Sequence, residues 1–392
     1  MQLPIVLVLG LVSIGVSYNQ RMLDPLTVLI GREAMVDVAR VVMLSPAFTL
    51  PYALGQPFLG PIADAFGKAL VLRVCLSILT LSTVIMVFVH DFTLLFWLRV
   101  LAGTAAGGVI PVALALIADR TPVAERQLVL TRFMLTLTLS QLFATPISAF
   151  VAETTGWRSV LLIAILLGLG GLALLVWQVP PRVGVQRVPF SVSRALATYR
   201  DILATPKARA CYAAVAAEGA FAFGITPHIA PFLAERNFGG VSEAGYILAG
   251  MGIGGVLYSL IAGWLVRRYR AFTIMYMGGV VLATGVVSVA FAPGWTWMAV
   301  AYAFIGFGFY MLHSGLQAQV TEVMPAARAS VISLHAFFFF MGIAGGPLLY
   351  TWSEAIIGAK ATMVLNGLAL LAVSLVATAL LSRWHDRSGA QN

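Results

Sequence analysis

Charge is scarce in this chain. Asp, Glu, Lys and Arg make up 10% of its 392 residues, 60% are hydrophobic, and the mean hydropathy is +0.95. An ordinary soluble domain is about 25% charged, so a soluble fold of this length could not cover its surface. Cysteine is scarcer still. Cys75 and Cys211, both in apolar runs, make neither a disulfide framework nor a metal site, and read as small buried hydrophobes. No nucleotide-binding loop, metal-ligand cluster or nucleophile motif occurs. Gly252-x-Gly254-Gly255 has no strand before it and reads as helix packing. Enzymatic chemistry, a metal and a cofactor are therefore not expected. No cleavable leader is expected either: the first apolar run lacks a basic start and leads into Asn19, Gln20 and Arg21 rather than a small-residue cleavage site.

What the chain does have is long apolar stretches. The pattern predicts twelve spans, over 4–30, 38–59, 69–89, 93–118, 128–150, 158–178, 208–233, 244–266, 272–291, 296–321, 329–350 and 360–382. A spanning helix needs about 20 mostly apolar residues, so the expected fold is an all-α polytopic membrane protein. The net charge of +9 is then a topology signal and not a sign of nucleic acid. With a cytoplasmic N-terminus, seventeen of the 24 Lys and Arg fall in inner segments and five in outer loops, with Arg21 and Arg99 left inside spans. The positive-inside rule then places both termini in the cytoplasm, in a plasma or inner membrane.

The longest loop, 179–207, carries Pro180, Pro181 and Pro189 and is rich in Arg. It reads as a cytoplasmic basic linker joining a six-helix bundle over 1–178 to another over 208–392. Residues 190–202 are expected to form a short amphipathic helix on the anionic membrane surface. The halves resemble each other. Gly60 pairs with Gly263, and Asp119 and Pro122 with Glu322 and Pro325, at an offset of 203; Pro25 pairs with Pro227 at 202, and Pro146 with Pro347 at 201. A parallel repeat of two pseudo-symmetric six-helix bundles is a transporter architecture.

The most specific local motif is Gly60-Pro61-Ile62-Ala63-Asp64-Ala65-Phe66-Gly67-Lys68, after span two. Its glycines permit a tight turn, and Asp64 suits cationic partners. It resembles the G-x-L-A-D-x-x-G-[RK] loop of the major facilitator superfamily, with Ala65 where that family often has Arg. Leu98-Arg99-x-x-x-Gly103-x-x-x-Gly107-Gly108 resembles the same family's fourth-helix signature. The resemblance implies an alternating-access transporter in which Gly60, Asp64, Gly67 and Lys68 form a gating loop and Arg99 is linked to proton coupling. The second-half copy, Gly263-Trp264-Leu265-Val266-Arg267, lacks the Asp, so a latch there must use other groups. Pro146 keeps the proline of the family's antiporter signature without its glycines. Gly342-x-x-Gly345-Gly346-Pro347 resembles the same bendable element, which makes Pro146, Gly346 and Pro347 hinge candidates. Trp157, in Thr155-Gly156-Trp157-Arg158, suits an interfacial anchor.

Ionisable groups inside spans cost free energy and mark function. Arg21 and Asp24 are three apart, share a helix face and are expected to pair. Arg99 lies about 12 Å past Asp91 by helical rise, and Glu218 about 13 Å past Arg209. Glu218, between Ala217 and Gly219 with no adjacent base, suits a proton carrier or a cation contact. His313 and His335 lie in spans ten and eleven, with Gln317 one turn after His313. The leading expectation is a monomeric, proton-coupled exporter of a small organic solute, similar to the 12-helix drug–proton antiporters. The alternatives are uptake or facilitated transport of a metabolite or organic anion, and a non-transporting sensor or assembly protein on the same fold.

Overall fold

A computed structural model of the protein describes residues 5–180, 192–324 and 327–389. Linker residues Pro181, Arg182, Arg187 and Pro189, and Pro325 of the repeat, lie outside the described residues. Everything regular among the described residues is helical. The first six passes are α1 (Ile5–Arg21) with α2 (Thr27–Ala34), α3 (Val38–Val42) with α4 (Leu44–Phe66), α5 (Lys68–Phe88), α6 (Phe92–Ala106) with α7 (Val109–Arg120), α8 (Val123–Thr155) and α9 (Trp157–Gln178). After α10 (Val192–Ala204) come α11 (Pro206–Phe223) with α12 (Ile229–Arg236), α13 (Val241–Arg268), α14 (Ala271–Ala290), α15 (Trp295–Thr321) and α16 (Arg328–Gly389). The long α16 is two passes meeting at Gly358, whose φ of 80° is non-helical. Ten of these segments are long and apolar enough to cross a membrane, α16 counted once. The 33-residue α8 completes the twelve by length.

Contacts divide the chain into two compact units, Met1–Ser191 and Val192–Asn392. Spans one and seven break alike. A 3-10 turn, Asp24–Leu26 in one unit and Thr226–His228 in the other, holds Pro25 or Pro227 near its start, where the missing N–H costs little. An eight-residue helix follows each turn and ends on a left-handed residue, Met35 at φ 51° and Asn237 at φ 55°. Helix packing repeats as well. A Cβ on Gly103 would collide with the Phe48 carbonyl oxygen, and a Cβ on Gly306 with that of Met251; both pairs are related by an offset of 203. Only glycine permits either approach.

Two expectations change here. Trp157 is not an interfacial anchor: it is 2% exposed, with the Arg158 guanidinium 4.4 Å over its ring. Helix α10 is amphipathic, but its apolar face turns inward. Ile202 is fully buried, Tyr199 hydrogen-bonds Ser333, and Leu196 is the one large apolar side chain left exposed among the helix's described residues. Burial against its own unit covers part of that face.

Candidate functional site

In the first unit, Gly67 alone joins α4 to α5, with φ at 102°, a value that favours glycine. The turn brings Lys68 Nζ to 3.2 Å from Asp64 and 2.6 Å from Asp119 at the end of α7. Lys68 is nearly buried, 6% exposed against 47% and 38% for the two acids. A cation at a helix N-terminus opposes the helix dipole, and two carboxylates offset that. Lys68, Asp64 and Asp119 thus tie the ends of spans two, three and four. Gly60 lies within α4.

Arg99, fully buried on α6, answers the break in span one. Its Nη1 donates to the Asn19 carbonyl at 2.8 Å, its Nε to the Leu44 carbonyl at 3.3 Å, and the guanidinium sits 4.5 Å over the Phe48 ring. Asn19 is in the last turn of α1, where carbonyls lack intrahelical partners. A guanidinium there satisfies the acceptor and complements the dipole. Asp24, 2% exposed, faces Arg21 Nη1 at 3.4 Å and is also within electrostatic reach of Arg99 and hydrogen-bonding reach of Ser45. Arg21 is the more accessible of the pair, 12% exposed.

The second unit builds a different centre at mid-span. Glu218 is fully buried on α11, with Oε2 2.8 Å from His313 Nδ1 on α15. Its Oε1 has no partner among the described residues. The His335 ring on α16 lies 5.2 Å from that of His313, and both His335 nitrogens are buried and unpartnered among the described residues. Phe309 and Phe339 stand 5.0 and 4.7 Å from the His313 ring. Three of the four second-half candidates therefore meet. Gln317 does not join them: it is exposed and makes no hydrogen bond among the described residues. The cluster closes because α11 and α16 cross at small residues. Gly219 faces the Phe339 carbonyl, Gly342 that of Ala216, and Gly346 that of Ala220. Close approach thus accounts for Gly346, a hinge candidate. Pro146 lies inside a continuous α8, and the Pro347 carbonyl accepts the Thr351 hydroxyl at 2.9 Å.

Sequence reasoning missed a second polar group in this unit. His228, at the span-seven break, has Nδ1 3.5 Å from Glu354, Nε2 3.3 Å from the Thr351 hydroxyl, and the Tyr350 ring 4.3 Å away. Its adjacency to Pro227 was the available signal.

A family model for the Major Facilitator Superfamily matches residues 9–347. The chain belongs to the Major Facilitator Superfamily. It is an integral membrane transporter of a small solute and not an enzyme. Among superfamily members it is 25% identical over 309 residues to the uncharacterized transporter YwfA of Bacillus subtilis (strain 168), covering 77% of this chain and 73% of that one. It is 22% identical over 300 residues to a probable sugar efflux transporter of Pasteurella multocida (strain Pm70), covering 76% and 72%. Its fold matches the crystal structure of a mutant of the nucleoside transporter NupG with a TM-score of 0.77 at 15% identity, over 96% of this chain and 99% of that one.

Proposed function

We propose that this transporter exports a small organic solute in exchange for protons, and that Glu218 with His313 carries the proton. The observation that supports this is a fully buried carboxyl with one oxygen on an imidazole at 2.8 Å and the other without a partner among the described residues. A proton can rest on either side of the Oε2–Nδ1 contact, and a free oxygen remains to accept another donor. An unpaired carboxylate away from water is costly, so moving a proton on and off this group requires a change in its surroundings. That is the requirement for coupling a proton to an alternating-access cycle. Arg21, more accessible than its partner Asp24, is assigned to solute contact; Arg99, capped on carbonyls, keeps the shape of the break. The outward direction is supported by the sugar efflux relative.

The test has two stages. Thermal shifts of the purified protein against sugars, nucleosides and small aromatic acids identify a solute, because binding stabilises by mass action. In proteoliposomes that solute, added on one side, should then drive proton movement reported by an entrapped pH dye. Solute flux with no proton movement and no response to an imposed pH gradient would sink the proposal.

A further inference from the structure

The second unit is layered. Along α11 and the turn after it the order is Glu218, Phe223, His228. Along α15, read in reverse, it is His313, Phe309, Tyr302; along α16 it is His335, Phe339, Tyr350 and Glu354. The contacts confirm the registers. Phe223 lies 5.2 Å from Phe309 and 5.8 Å from Phe339 by ring centroids, and the latter two are 5.8 Å apart. Glu218, His313 and His335 meet on one side of these rings, and His228, Tyr350 and Glu354 on the other. Ten residues separate Glu218 from His228, about 15 Å at helical rise.

We propose that His228 with Glu354 is a second proton-binding site, in line with Glu218 and separated from it by the aromatic layer. The imidazole is buried yet presents both nitrogens to polar partners: Nδ1 to the Glu354 carboxylate and Nε2 to the Thr351 hydroxyl. The hydroxyl can accept from the ring, because it already donates to the Pro347 carbonyl. Binding one proton therefore yields an imidazolium with an acceptor on each nitrogen, and no further bond changes. Glu354, one-third exposed, gives the pair access that Glu218 lacks. Other charged or titratable groups near by are Tyr350 from α16, with Tyr302 from α15 and Glu235 and Arg236 from α12 around its hydroxyl. Arg236 also lies 4.6 Å over its own helix's Phe232 ring. Glu354 is thus the anionic group placed directly against the ring. The buried Tyr350 hydroxyl, without a hydrogen-bond partner among the described residues, adds polarity on this side of the aromatic layer. That the site serves the same proton traffic rests on the reading of Glu218; that it binds a proton does not.

Nitrogen-15 NMR of histidine-labelled, full-length protein in nanodiscs reads the site directly, without a solute. Among the five histidine rings, one that takes up a proton as the sample is brought from about pH 8 to 5 should be missing from H228Q. In E354Q that ring should hold its proton about tenfold more weakly, as expected for loss of an adjacent carboxylate. Should H228Q not fold, the displaced midpoint in E354Q identifies the ring and decides. A His228 ring that keeps one protonation state across that range, or the same midpoint in E354Q, overturns the proposal. A normal His228 titration in a protein that moves no protons with solute would refute the coupling role of Glu218 and leave this site standing.

Discussion

The two units share a scaffold and differ in the charge placed inside it. Both break their first span at a proline-bearing 3-10 turn, and both press a glycine onto a carbonyl at equivalent positions. The first unit fills its interior with a guanidinium, Arg99, which holds its proton at any physiological pH and spends its donors on the carbonyls of Asn19 and Leu44. At the equivalent position, 203 residues on, the second unit has Tyr302. Its buried acid, Glu218, meets imidazole instead of guanidinium. Fixed charge suits a group that maintains structure; groups that gain and lose protons suit coupling. On the proposed function, the same fold separates these two tasks by which kind of base faces the buried acid.

The largest test of that contrast is stability. Arg99→Leu should cost about 3–5 kcal/mol, the range for stripping one partner from a buried charged network, seen as a large fall in the melting temperature in detergent. Glu218→Gln keeps the shape and an acceptor, and should stay within about 1 kcal/mol of wild type. If the two variants melt alike, the division between structural and titratable charge is wrong. The repeat itself can be broken next. Gly103→Ala and Gly306→Ala should each cost about 1–3 kcal/mol by overpacking, and by similar amounts; a loss in only one would show that the two close contacts are not equivalent. A smaller effect separates the two lysine–carboxylate contacts. Lys68→Met removes a nearly buried cation from two carboxylates, while Lys207→Met removes a cation more exposed than Lys68, 3.3 Å from Glu322. The second should cost less than about 1 kcal/mol and the first more, by the same melting measurement.

Much of this was legible before any coordinates. Apolar run length marked the passes, and the recurring Pro25 and Pro227 marked the breaks, because proline acts on its own backbone and needs no tertiary partner. The G-x-x-A-D-x-x-G-K loop marked the Lys68 turn for the same reason. The pairing of Glu218 with His313 was not legible: 95 residues separate them, and helical periodicity carries no register between distant spans. Trp157 and α10 were misread because an amphipathic or aromatic pattern tells which face is apolar and not whether lipid or protein covers it. His228 was overlooked because a single histidine beside a proline acquires meaning only when Glu354 arrives from another span.

The most direct measurement is proton flux through Glu218→Gln in proteoliposomes, with a solute identified by thermal shift. The variant should still exchange labelled for unlabelled solute across the membrane, a process with no net proton movement. It should lose at least about tenfold in solute-driven proton movement and in accumulation driven by a pH gradient, since a carboxamide cannot carry the proton. Unchanged proton movement in that variant, with exchange intact, would contradict the assignment of coupling to the buried acid of the second unit.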